Sequence, residues 1–196
     1  MNEVESRSRF LEKSLLAAGA VVGGGVLVGG FPSFAASAPS PEQDVEILNF
    51  ALLLEYTELA FYSEAISRGG LSGDLLDYVN TVRGHERAHV AFLERVLGSK
   101  ARAKPTFAFG DTTSDPDKFA STAAILEDSV VAAYNGQATN LTKKTLGAAA
   151  KIVSVEARHA GWIRAIVGQD PAPDATDTPL TPAQVTAALK RARLLK

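Results

Sequence analysis

From residue 43 onward, apolar positions recur every three or four residues, the period of a helix with one buried face. The first such segment covers 43–68 and stops at Gly69-Gly70. A second starts after Ser72, an N-cap residue type, and stops at Gly98. Residues 99–114, SKARAKPTFAFGDTTS, lose the period and carry Pro105 and Gly110. Asp115-Pro116 then places an N-cap before a proline at the first helical position, and a third helix runs to about Asn140. A fourth spans about 142–168. The tail QDPAPDATDTPL leads to Thr181-Pro182, which starts a short fifth helix. The pattern predicts an all-α fold: two antiparallel helix hairpins joined by a long crossover, plus a short C-terminal helix.

Steps of four and three residues trace one core stripe on each helix. The first reads Leu48, Leu52, Glu55, Leu59, Tyr62, Ile66, and the second Leu75, Val79, Val82, Glu86, His89, Leu93, Val96. The third reads Ala120, Ala124, Glu127, Val131, Tyr134, Ala138, Leu141, and the fourth Ala149, Ile152, Glu156, His159, Ile163, Ile166. Glu55, Glu86, His89, Glu127, Glu156 and His159 therefore interrupt apolar stripes near mid-helix. Glu58, Glu64 and Glu94 fall off the stripes. A buried charge is costly unless something pairs with it.

The chain also repeats itself. At an offset of 70, EARHAGWIRAIVG (156–168) lies under ERAHVAFLERVLG (86–98), matching Glu86 with Glu156, His89 with His159 and Phe92 with Trp162. At an offset of 72, Glu55 matches Glu127 and Tyr62 matches Tyr134. A duplicated hairpin predicts internal pseudo-twofold symmetry.

Four carboxylates gathered in an interior repel one another and lose solvation, so their pKa values rise and protons are shared among them. Two divalent cations would balance the four charges. Oxygen-rich ligation with two imidazoles suits iron or manganese and leaves zinc open. A Glu and a His three apart project from the same side of a helix, so one ion can take both. The competing reading pairs Glu86 and Glu156 with Arg83, Arg87 or Arg158, which project towards the surface. Asp128 could stand in for Glu127 but lies off the stripe. Trp162 reads as core, His85 as solvent-facing, and Phe107 and Phe109 as pins holding the crossover to the bundle.

One Glu from each of two helices and Glu-x-x-His from each of the other two resembles the di-iron and di-manganese carboxylate bundles of the ferritin-like superfamily. The likeness is to bacterioferritin-type sites and to exported ferritin-like proteins, including desiccation-related ones, and covers about 43–168. It implies that Glu55 and Glu127 are terminal ligands, that Glu86 and Glu156 bridge two metals, and that His89 and His159 cap one each. Tyr62 and Tyr134 are read as packing residues that hydrogen-bond a ligand carboxylate. The implied function is metal oxidation or reaction with oxygen or peroxide. The alternative is a non-enzymatic stress- or desiccation-related bundle with a static metal or none.

Composition narrows the setting. The 196 residues suit one domain, and a net charge of −2 gives no reason to expect a nucleic-acid partner. The absence of cysteine removes disulfides and thiolate sites. Residues 1–38 differ from the rest: a basic start (Arg7, Arg9, Lys13), the apolar run 14–31 and the small residues of FPSFAASAPSP form an export-signal layout. SRSRFLEKS resembles a twin-arginine signal, although Ser8 separates the arginines. Uncleaved, 14–31 could serve as a membrane tether. Either way the protein is expected outside the cytoplasm, periplasmic or secreted, with 39–168 as the bundle and 169–196 as a C-terminal extension. The basic end of that extension (Lys190, Arg191, Arg193, Lys196) reads as a solvated face, and oligomeric state is not legible.

Overall fold

Local chemistry sets several of the helix ends. In a computed structural model, which describes residues 38–195, α1 covers Pro41–Arg68, α2 Gly73–Leu97, α3 Pro116–Gln137, α4 Lys143–Ile166 and α5 Pro182–Arg191. Ser40 caps α1 by accepting from the Gln43 N–H, and Gly69 ends it at φ 72°, a left-handed conformation that favours glycine. Asp115 caps α3 through the Asp117 and Lys118 amides, with Pro116 at the first turn. Thr181 and Gln184 form a reciprocal capping box on α5. Ser72 occupies the N-cap of α2 but its side chain makes no capping hydrogen bond. The α4 terminus is capped from another helix: the Asp44 carboxylate on α1 accepts from the Thr142 amide at 2.9 Å and from the Thr142 and Thr145 hydroxyls.

Helix directions follow from side-chain pairs. Tyr56 meets Glu94, and further along α1 Tyr62 meets Tyr78, so α1 and α2 run antiparallel. Tyr134 meets Glu55 and Tyr62 meets Glu127, so α1 and α3 are opposed as well. Hence α2 and α3 run the same way, and residues 101–115 must travel the length of the bundle to join them. Asn49 holds the start of this crossover through Lys100 O (3.0 Å) and the Arg102 N–H (2.8 Å). Phe109 holds its far end, buried edge-on against Phe61. The bundle is the expected one: two hairpins, a crossover and a short C-terminal helix.

The tail docks on α3. The Leu180 N–H donates to Ala132 O at 3.0 Å, and a Cβ on Gly136 would sit 1.9 Å from Leu180 O, so only glycine admits this approach. Val185 and Leu189 of α5 are fully buried.

Two core expectations fail. Val96 is 49% exposed while Leu97 is buried, because an α-helix of 3.6 residues per turn drifts away from a strict 3.5-residue stripe. Trp162 is 37% exposed: Tyr78 fills the interior, and the indole meets its ring edge-on with centroids 5.4 Å apart. Residues 1–37 and Lys196 lie outside the described residues, so the export-signal reading of 1–38 falls there. Among the described residues, no helix is long and apolar enough to cross a membrane.

Candidate metal centre

The four central helices each deliver acid to one point. Glu55 on α1, Glu86 on α2, Glu127 on α3 and Glu156 on α4 are all fully buried. The His89 Nδ1 lies 2.8 Å from Glu156 Oε1, 3.1 Å from Glu86 Oε2 and 3.3 Å from Glu55 Oε2. The His159 Nδ1 lies 3.2 Å from Glu86 Oε1, 3.3 Å from Glu156 Oε2 and 3.6 Å from Glu127 Oε2. Thus Glu86 and Glu156 face both imidazoles, whereas Glu55 faces only His89 and Glu127 only His159. The six residues singled out by the stripes are brought together with the twofold relation of the repeat.

One imidazole nitrogen can donate one N–H, yet each has three carboxylate oxygens around it. Glu55 Oε2, Glu86 Oε1, Glu127 Oε2 and Glu156 Oε1 point inward and accept no well-formed hydrogen bond among the described residues. Buried polar atoms are rarely left so. Nitrogen and oxygen lone pairs converging on a shared point are the donor set of a cation, so this buried Glu/His cluster can bind metal ions.

The outer oxygens are held by phenols. Tyr134 donates to Glu55 Oε1 at 2.5 Å, while Tyr62 and Tyr78 (2.9 Å) both donate to Glu127 Oε1. Each carboxylate therefore keeps its other oxygen for the centre. Burial, then the charge of the acceptor glutamate, pushes all three phenol pKa values well up, so they stay protonated donors.

Electrostatics record the crowding. Burial, followed by the charge of Glu156, raises the Glu86 carboxyl, and burial, followed by the charge of Glu55, raises Glu156. For His89, burial alone lowers the pKa, but the surrounding carboxylates of Glu156, Glu55 and Glu86 overcome it and raise it to about 12. The same opposition, with Glu127, Glu156 and Glu86 as acceptors, raises His159 to about 12.

No arginine enters the cluster among the described residues: the ion pairs of its glutamates go to the two histidines. Asp128 turns outward to Arg164 at 2.8 Å, so it does not replace Glu127. Three residues were missed. Glu58, expected off the core, is fully buried with both oxygens unpartnered. Tyr78, which stripe reading skipped, contacts Glu127. His85 is exposed as expected, yet its Nδ1 lies 2.8 Å from His159 Nε2 with the rings stacked. A signal for Glu58 existed: Ile47, Ala51, Leu54, Glu58, Phe61 and Ala65 form a second row in steps of four and three, all buried.

Fold and site together define a helical bundle with a central carboxylate–imidazole cluster. A model of the ferritin-like domain family matches residues 43–169, and the chain belongs to that family. No curated protein matches the sequence.

Proposed function

We propose that the protein holds a pair of divalent transition-metal ions, iron or manganese, and uses them on oxygen or peroxide. The reading rests on one observation: Glu86 and Glu156 face both imidazoles, while Glu55 and Glu127 face one each. Glu86 and Glu156 would be shared by the two ions, Glu55 with His89 would hold one of them, and Glu127 with His159 the other. When bound, such a metal pair supplies two-electron redox chemistry. Ferroxidase, peroxide-scavenging and catalase-like outcomes share this ligand set.

The chain's own residues contribute placement and proton handling. Tyr62, Tyr78 and Tyr134 hold the terminal carboxylates by their outer oxygens, leaving the inner ones to follow changes in metal charge. Glu86 and Glu156, raised by burial, release protons as cations enter. Solvent comes nearest on the α2 side, where the His89 side chain is 12% exposed and His85 lies outside His159. Full burial of the glutamates favours a second reading, a static metal in a non-enzymatic stress-related bundle. The layout of residues 1–38 supports a location outside the cytoplasm, with removal of the signal or retention through 14–31 as the two routes.

Metal content by plasma mass spectrometry tests the proposal, with Glu86→Ala/Glu156→Ala as the comparison. The expected result is about two iron or manganese ions per chain, lost in the double variant. No metal after loading with Fe(II) and Mn(II) overturns the proposal. Bound metal without oxygen or peroxide turnover favours the static reading.

A further inference from the structure

The repeat lets each residue near the centre be compared with its own counterpart. At the offset of 72, Glu58 corresponds to Val130; at the offset of 70, Tyr78 corresponds to Ala148 and His85 to Val155. Each time the first hairpin carries a polar residue and the second an apolar one. All three departures bear on the same end of the site. Tyr78 adds a second phenol to Glu127, whereas among the described residues Glu55 receives Tyr134 alone. His85 contacts the outer nitrogen of His159. Glu58 forms a group with Glu127 and Glu156 whose ligand oxygens lie within 4.8 Å of one another.

Glu58 is the residue that needs an explanation. It is fully buried, and neither carboxylate oxygen has a hydrogen-bond partner among the described residues. Its neighbours are four more glutamates. Burial, then the charges of Glu86, Glu156, Glu127 and Glu55, oppose its ionisation, and among the described residues no hydrogen bond offsets them. The repeat places valine, which carries no charge to bury, at the matching position.

We propose that Glu58 is a seventh metal ligand, that it serves the position built by Glu127, Glu156 and His159, and that this position fills first. The inference rests on the metal-binding reading above and adds that the two positions are unequal. Affinity for a hard cation rises with the number of charged ligands. The Glu127 end has one carboxylate more than the Glu55 end, and two phenols fix the orientation of its terminal ligand. The internal twofold therefore describes the scaffold and not the metal chemistry.

Mn(II) titration of the metal-free full chain, read by equilibrium dialysis and electron paramagnetic resonance, tests this. In the wild type the first ion binds at least about tenfold more tightly than the second and gives an isolated-ion spectrum at one equivalent. In Glu58→Val, and in the near-isosteric Glu58→Gln should valine perturb folding, the first step weakens by about tenfold or more and the second is unchanged. Glu127→Gln removes the tight step and Glu55→Gln the weak one. Equal binding of both ions by the wild type, or an unaltered first step in both Glu58 variants, overturns this inference and leaves the metal-binding reading standing. Failure of the wild type to bind Mn(II) or Fe(II) at all overturns both.

Discussion

One turn of helix separates two layers of this bundle that act on stability in opposite directions. In the aromatic layer, Phe61 of α1 stacks on Phe119 of α3, with centroids 5.3 Å apart, and meets Phe109 edge-on at 5.4 Å. In the polar layer, Glu55 and Glu58 precede Phe61 on the same helix and join Glu86, Glu127 and Glu156. A buried phenylalanine contributes roughly 1.5–3 kcal/mol, whereas a buried, unpaired carboxylate costs free energy. Tyr62 belongs to both layers: its ring packs on Phe61 and its hydroxyl holds Glu127. The aromatic layer holds the helices together, and the polar layer is a costly arrangement whose buried charges are offset in part by protons and the two histidines. Such a trade of stability for function is what an active or binding site requires.

Substitutions in the two layers should therefore diverge. Phe61→Ala opens a cavity among fully buried rings and should cost about 3–5 kcal/mol in chemical denaturation. Glu156→Leu should do the reverse in the metal-free protein, raising its melting temperature while abolishing metal uptake. An outcome in which both substitutions destabilise alike would erase the distinction between the layers.

Metal should shift only the polar layer. Saturating Mn(II) or Fe(II) at about a thousandfold over Kd should stabilise the wild type by about 4 kcal/mol and leave Glu86→Ala/Glu156→Ala unmoved. Calorimetry on both proteins distinguishes site binding from a general ionic effect.

The pH dependence of the metal-free protein has a definite sign. Glu58, Glu86 and Glu156 have raised pKa values, so above the ordinary carboxylate range the folded state holds protons that the unfolded state releases. His89 and His159, raised to about 12, contribute stability that is complete below the ordinary histidine value and declines as pH rises towards 12. Both effects run the same way, so the melting temperature of the metal-free protein should fall between about pH 5 and pH 9. Metal displaces these protons, so the loaded protein should show a flatter profile and bind metal better as pH rises.

The smallest effect belongs to the phenols. Tyr134→Phe removes one hydrogen bond to Glu55 and should cost about 1 kcal/mol or slightly more, since a buried acceptor is left behind. Metal affinity at the Glu55 end should weaken more than at the Glu127 end, where Tyr62 and Tyr78 act together.

Much of this was legible along the chain, for reasons local to each helix. Gly69, Pro116 and Thr181 mark helix ends because backbone φ and capping are properties of one or a few residues. The six ligand-type residues stood out because a polar side chain on an apolar stripe is visible without knowing what it faces. Their repeat made convergence predictable. Glu58 escaped notice because a single stripe represents a helix with one neighbour, and α1 buries two rows, packed as it is on both α2 and α3. Trp162 was misread because a large apolar side chain was equated with burial, and Tyr78 had taken the space.

The pattern of the sequence by itself determined the helices, the order of the hairpins and the identity of the acids that leave the surface. Those depend on period, caps and repetition, all of which are written in neighbouring residues. Only the tertiary structure decided that Asp44 caps α4, that Tyr134 reaches Glu55 across the bundle, and that Glu58 meets Glu127 and Glu156 without a partner. Those contacts join residues far apart in the chain, and which of them form depends on how the twofold-related hairpins settle against each other.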